Sequence, residues 1–347
     1  MIEREQIERV WVIDYIKAIC MIAVVFLHCE LSGYYSLYLC FPFWLWLPVP
    51  AVMMVSGYTF SMSFSKHNTS IKQYYSPKAL LKKYSRYLLP VFPIYIIRVI
   101  KNIVVDKESI SLLKIIGNFF LFGNSGPGSY YVPCLLVLVI VFPLIYLLIK
   151  RGGGTGLLVL MLVNIVYDAV YSLVRLPYDV YRNIFFQYLF AVSCGCYINI
   201  YGYRIKKIFL LIAAIVGAVY ILAVSYLAWI PVIIQNRATT AWPVCFWVLC
   251  FVGFVLIYHK TFKISVKLIH SILMRLGQAS YHIFCIQLLW FVSGIDTKMN
   301  MWIAALVSIV VSCILGYFYY MVEKKFKEFI KRKGESHYCE RKNKESN

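Results

Sequence analysis

Val10-Trp-Val-Ile-Asp14-Tyr-Ile-Lys17-Ala-Ile-Cys20-Met-Ile-Ala-Val-Val-Phe-Leu-His28-Cys29 is a run of twenty residues, apolar except at Asp14, Lys17 and His28. A stretch of that length and character crosses the hydrocarbon core of a bilayer as a helix. Nine others resemble it: Leu39 to Phe64, Tyr87 to Val105, Tyr131 to Ile149, Gly156 to Val174, Ile184 to Ile200, Ile208 to Ile230, Ala241 to Tyr258, Leu276 to Val292 and Met301 to Val322. The fold class expected is therefore an all-α integral membrane protein, a polytopic bundle of about ten transmembrane helices. Ile110 to Phe122 is too short to span and reads as interfacial.

The composition agrees. Of 347 residues, 61% are hydrophobic and 14% charged, with a mean hydropathy of +0.73, which excludes an ordinary soluble globule. A formal charge of +20 would point a soluble protein toward nucleic acid, but here Lys and Arg fall between the apolar runs, so nucleic acid is not an expected partner. With the N-terminus taken as cytoplasmic, alternate connections and the two ends hold 26 Lys and Arg and the opposite connections hold 6. That bias predicts an N-in, C-in, multi-pass protein of the cell (cytoplasmic or inner) membrane.

No small-residue cleavage site follows the first run, so it is expected to stay attached as the first helix. Residues 1–322 read as one membrane domain, and 323–347 as a basic, solvated and partly disordered cytoplasmic tail with affinity for anionic lipid headgroups. Of eleven cysteines, most sit inside apolar runs without a C-x-x-C pair; Cys194 and Cys196 diverge in direction on a helix, and no metal site is expected.

Ionisable groups at depth in a bilayer cost a few kcal/mol unless they face a partner or a wet cavity, which makes them functional candidates. From Lys17 to His28, at about 100° per residue, the helix returns to within roughly 20° of its starting direction after a rise of about 16 Å. The cation and the imidazole share one face at different depths. Asp14, three residues before Lys17, is placed to pair with it.

This helix is similar to the opening helix of the acyltransferase-3 family of integral membrane acyltransferases, whose defining motif is a basic residue, ten intervening residues and a histidine, matched here by Lys17 and His28. The run from Val49 to Ser56-Gly57-Tyr58 resembles the family's second span, and Lys82-Lys83-Tyr-Ser-Arg86-Tyr-Leu-Leu-Pro90 its basic segment before the third. Ser129-Tyr130-Tyr131-Val-Pro133 resembles the aromatic motif opening a later span, Phe190 to Gly195 a later helix, and Leu276-Gly277-Gln-Ala-Ser280-Tyr281 the penultimate one. The matches run in family order over residues 9–291. Lys17 stands where arginine is more usual, which keeps the charge and loses the bidentate fork. Gln287 stands where a histidine is often found, and Tyr131 to Pro143 lacks the glutamate of many polysaccharide-modifying members, leaving any carboxylate partner of His28 unassigned.

The resemblance implies transfer of an acyl group, most often acetyl, from cytoplasmic acyl-CoA to a hydroxyl of a cell-surface or lipid-linked glycan. Acyl-CoA enters as a substrate, and no bound cofactor or metal is implied. Lys17, Lys82, Lys83 and Arg86 would hold the phosphates of CoA, and His28 would serve as general base or as transient acyl carrier. Asp14, Ser56, Gly57 and Tyr58 would support it, the glycine bringing the second helix close to the first. Tyr130 and Tyr131, with Phe119, Phe120 and Phe122 in a segment broken by Gly123, Gly126, Pro127 and Gly128, would face the acceptor. Membrane lipids and other components of glycan synthesis or export are the partners implied. A transporter or flippase for a polysaccharide or lipid-linked intermediate is the competing reading, although no inverted repeat is visible.

Overall fold

A computed structural model describes residues 10–29, 37–66, 70–107, 127–174, 178–231, 241–259 and 266–345, and among these there is helix and no strand. The main helices are α1 (Trp11–Leu27), α2 (Pro48–Lys66), α3 (Pro77–Val104), α4 (Tyr131–Gly152), α5 (Gly154–Val174), α6 (Leu189–Tyr201), α7 (Lys207–Ser225), α8 (Val244–Tyr258), α9 (Lys267–Val292) and α10 (Met301–Glu345). Each expected stretch falls on one of them. Among the described residues, six helical stretches are long and apolar enough to cross a membrane: Phe41–Ser65, Pro77–Val104, Tyr131–Gly152, Gly154–Val174, Lys207–Ser225 and Met301–Ile330. The helices at the other four stretches do not meet those requirements of length and hydropathy together. Ile110 to Phe122 lies outside the described residues.

Local chemistry explains where helices depart from the apolar runs. The second run is broken between Phe41–Trp44 and α2, because Pro48 starts a new helix and disfavours helical geometry in the residue before it. The sixth opens with a tighter 3₁₀ turn, Phe185–Tyr188, before α6. The seventh stops at Ser225, where the chain turns and Ala228 takes a φ of 52°. Inside α8 a π-turn at Leu249–Gly253 locally unwinds the ladder. At the other end of the chain, α10 continues through residue 323 to Glu345, so the basic tail begins as a continuation of the last helix.

Lipid removes the hydrophobic drive between helices, so close backbone packing must hold them together. Glycines provide it. A Cβ on Gly277 of α9 would stand 2.0 Å from the carbonyl oxygen of Asp14 in α1, and one on Gly316 of α10 would stand 2.5 Å from the Cα of Ile283 in α9. Gly57 of α2 meets α6 in the same way, since a Cβ there would stand 2.0 Å from the Val192 carbonyl oxygen, and Gly195 of α6 returns the contact against Met54.

These contacts set helix directions. Asp14 lies against Gly277 and His28 against Phe291, the same offset in sequence, so α1 and α9 run parallel. Phe60 meets Phe142 and Phe64 meets Tyr146, so α2 and α4 do too. The pairs His282 with Glu323 and Trp290 with Ser308 make α9 and α10 antiparallel. Odd helices run with odd and even with even in these pairs, the sense that alternate crossing of a membrane requires.

Candidate functional site

α1 is clamped along one side by α9, and its polar residues are distributed along that contact. Asp14 is buried and Lys17, one turn on, is half-buried; both make polar or electrostatic interactions. The parallel register places Lys17 level with Ser280. Next to that residue, Tyr281 donates its hydroxyl to the Tyr87 carbonyl of α3 at 3.0 Å. The end of the basic segment at Arg86 is therefore at the same level of the bundle as Lys17.

His28 ends α1, where its backbone N–H still donates to the carbonyls of Val24 and Val25, 3.3 and 3.2 Å away. Its half-buried imidazole sits edge-on to Phe291, with ring centres 5.7 Å apart. Across from it, Gly128 takes a φ of +83°, a left-handed conformation suited to glycine. A Cβ built there would lie 3.4 Å from His28 Nε2, 3.6 Å from Phe284 Cε2 and 4.0 Å from Gln287 Nε2. Those three groups thus surround the space left by the absent side chain. Tyr131, the first residue of α4, packs edge-on against Phe284 at 5.4 Å and faces Ser56 of α2 and Cys20 of α1. Four helices, α1, α2, α4 and α9, meet around Tyr131, about two turns from His28 along α1.

The other expected site residues divide. Ser56 is buried and gives its hydroxyl to Val52 O at 2.8 Å, the back-bond of a helical serine. Gly57 packs α2 against α6, correcting the expectation that it brings the second helix against the first. Consecutive helices are the default neighbours, but here the backbone of Val192 fills the glycine's open face. Tyr58 is buried beside the same crossing. Tyr130 is half-buried, with the Arg182 guanidinium 5.9 Å from its ring centre, whereas Tyr131 is buried in the helix junction.

Among the basic residues, Lys82 and Arg86 are exposed and one turn apart on α3. Lys83 points elsewhere: its Nζ lies 3.7 Å above the Tyr74 ring and donates to the Tyr74 carbonyl at 3.3 Å. It caps the short helix Ile71–Tyr74, whose start is fixed by reciprocal bonds between Ser70 and Gln73. Phe119, Phe120, Phe122, Gly123 and Gly126 lie outside the described residues.

Several polar groups not singled out as site residues emerge from the packing. Gln287 of α9 is fully buried, and neither of its amide atoms has a hydrogen-bond partner among the described residues. Asp168 of α5 is buried, accepting from Tyr181 Oη at 2.6 Å and Asn164 Nδ2 at 3.3 Å, while Asn164 Oδ1 accepts from the Phe190 N–H. An acid inside the run Gly156 to Val174 was a readable signal of such a network. Nearer the tail, His282 Nε2 and Glu323 Oε2 lie 2.7 Å apart, and Lys327 also pairs with Glu323. Among the described residues no group of three His, Cys, Asp or Glu side chains could hold a metal ion, and Cys194 and Cys196 are buried and free.

A family model described as an acyltransferase domain, that of acyltransferase 3, matches residues 10–321, nearly the whole chain. No curated protein matches. No solved structure matches.

Proposed function

We propose, from the premise that this chain belongs to the acyltransferase-3 family, that it carries an acetyl or other short acyl group from acyl-CoA at the cytoplasmic face to a hydroxyl of a cell-surface or lipid-linked glycan. The protein is a membrane acyltransferase; the donor, the acceptor and the roles of individual residues are the proposal. The observation that carries it is the placement of His28. An imidazole stands at one end of α1 facing Gly128, whose missing side chain leaves its Nε2 uncovered on that side, while the same helix bears Lys17 about three turns nearer its other end.

A cytoplasmic donor and an outer acceptor require the acyl group to cross the bilayer. In this reading ten helices cross the cell membrane with both termini inside. Lys17, with the exposed Lys82 and Arg86, holds the phosphates of CoA at the inner side. Lys83 is committed to Tyr74 and contributes to the same surface only by keeping the segment ordered. The pantetheine arm then reaches along α1 toward His28.

There the imidazole takes the proton of the acceptor hydroxyl as its oxygen attacks the thioester carbon. The C–S bond breaks, and the imidazolium returns the proton to the departing thiolate, leaving ester and free CoA. If His28 is instead acylated first, the same atoms balance in two steps, with the acyl group resting on the ring nitrogen. Tyr130, at the edge of this site, is the aromatic residue available to the acceptor, with glycan-synthesis proteins as the partners that deliver it.

Mass spectrometry of surface glycans from cells carrying the wild type, a deletion, or His28→Ala at equal membrane abundance tests the reading. An acetyl-sized increment found only with the wild type is expected. Retention of that increment by His28→Ala would remove His28 from the chemistry. A deletion that lowers exported glycan without changing its acylation would favour a transporter.

A further inference from the structure

Gln287 combines two observations that packing alone does not account for. Its side chain is fully buried, yet neither Nε2 nor Oε1 has a hydrogen-bond partner among the described residues. Buried polar groups in folded proteins are nearly always satisfied, and an orphan calls for an explanation. An apolar side chain of the same size would suit its surroundings better, since the neighbours on its helix include buried Phe284 and Leu288.

Its direction supplies the second observation. Phe284, Gln287 and Phe291 are spaced three and four residues apart, so they form one stripe along α9. Phe291 contacts the His28 ring, and Phe284 borders the space at Gly128. The amide therefore interrupts an aromatic stripe one helical turn from the level of the imidazole. Its Nε2 lies 4.0 Å from the position that a Cβ on Gly128 would take, and His28 Nε2 lies 3.4 Å from the same point. One donor and one base thus border a single small space.

We propose that Gln287 is a catalytic hydrogen-bond donor, its Nε2–H directed at the acyl carbonyl oxygen while His28 handles the proton of the acceptor hydroxyl. The assignment rests on the acyltransferase reading above and adds the group that meets the charge developed during transfer. As the acceptor oxygen bonds to the thioester carbon, the carbonyl electron pair moves onto oxygen, which then bears negative charge. The amide hydrogen bonds to that oxyanion until the C–S bond breaks and the carbonyl re-forms. A neutral donor suits a site walled by Phe284 and Phe291, because it strengthens as charge develops and needs no counterion at rest. Gly128 completes the arrangement by placing no side chain between the two nitrogens, where a Cβ would already be in van der Waals contact with both.

The test is steady-state kinetics in membrane vesicles from a deletion host complemented with each variant, using acetyl-CoA labelled in the acetyl group and the host's own envelope as acceptor. Each protein is also purified for thermal unfolding. Gln287→Met, similar in volume and without a donor, is expected to lower kcat by about a hundredfold, the usual effect of removing one oxyanion donor. Its KM for acetyl-CoA should stay within about threefold, and its unfolding temperature should hold or rise, because an unsatisfied amide has been replaced by an apolar group. Gln287→Glu, which keeps the shape and offers only acceptors when ionised, should be as slow. Gln287→His, which restores an N–H, should recover most of kcat.

If the wild type transfers no more label than vesicles of the uncomplemented deletion host, the acyltransfer reading falls and this assignment with it. If the wild type is active and Gln287→Met keeps more than about a third of kcat, only the assignment to Gln287 falls. Loss of folded protein or of thermal stability in Gln287→Met would show the amide to be structural, and overturns the proposal equally.

Discussion

Two basic residues adjacent in sequence have different fates. Lys82 is exposed on α3, whereas Lys83 is held over the Tyr74 ring and bonded to its carbonyl. Lys82→Ala combined with Arg86→Ala is therefore expected to raise KM for acetyl-CoA by about tenfold or more, the effect of losing charge-assisted phosphate contacts. Lys83→Ala should leave KM nearly unchanged and lower stability by about 1 kcal/mol, the scale of a partly exposed cation–π contact. Saturation kinetics beside thermal unfolding separates the two; a large KM effect from Lys83→Ala alone would reverse the assignment. His28 and Lys17 were legible in the sequence because ionisable groups inside an apolar run stand out and helical periodicity puts them on one face. Lys83 was not, since a run of basic residues does not reveal which side chain an aromatic ring will claim. Gln287 was visible only as a departure from a family pattern, as a neutral amide near the end of a helix carries no signal until its burial is known.

At the level of helices, the glycine crossings carry the packing. A methyl group on Gly277 would meet the Asp14 backbone at 2.0 Å, and backbone cannot move aside as a flexible side chain can. Gly277→Ala is expected to push α9 away from α1 and destabilise the protein by about 1–3 kcal/mol, the range for overpacking. Because α1 and α9 also bring His28 to Phe291 and Gln287, transfer should fall along with stability. Gly153→Ala offers the control: it has open space around it and strain only from its φ of 53°. It should lower unfolding temperature modestly and leave kcat as it was. Equal kcat for Gly277→Ala and wild type at matched folded protein would contradict the dependence of the site on this crossing. The apolar runs were enough to locate the helices. They gave no guide to partners: Gly57 could equally have faced α1, and only the three-dimensional packing shows Val192 of α6 against it.

Across the whole molecule, helix direction and charge distribution bear on the same question. The parallel pairs α1 with α9 and α2 with α4, and the antiparallel pair α9 with α10, have the sense needed for alternate crossing. The distribution of the 35 Lys and Arg then predicts which side is which. A fluorescent protein fused after Asn347 is expected to fluoresce from the cytoplasm, and alkaline phosphatase fused after Lys298 to be active outside; the reverse pattern would invert the orientation. The sequence pattern anticipated an all-helical membrane protein because length and apolarity are local properties, and six helical stretches among the described residues are long and apolar enough to cross. It did not anticipate the convergence of Gly128, Phe284, Gln287 and His28, which come from distant segments and meet only through packing.

The central claim is that acyl groups supplied on the cytoplasmic side reach an acceptor on the other side through His28. Sealed inverted vesicles, with labelled acetyl-CoA added to the exposed cytoplasmic face, test it most directly. The account predicts alkali-labile label on lumenal glycan, protected from added esterase until detergent opens the vesicles, and absent with His28→Ala. Label accessible to esterase without detergent, or lumenal label undiminished by His28→Ala, would contradict it.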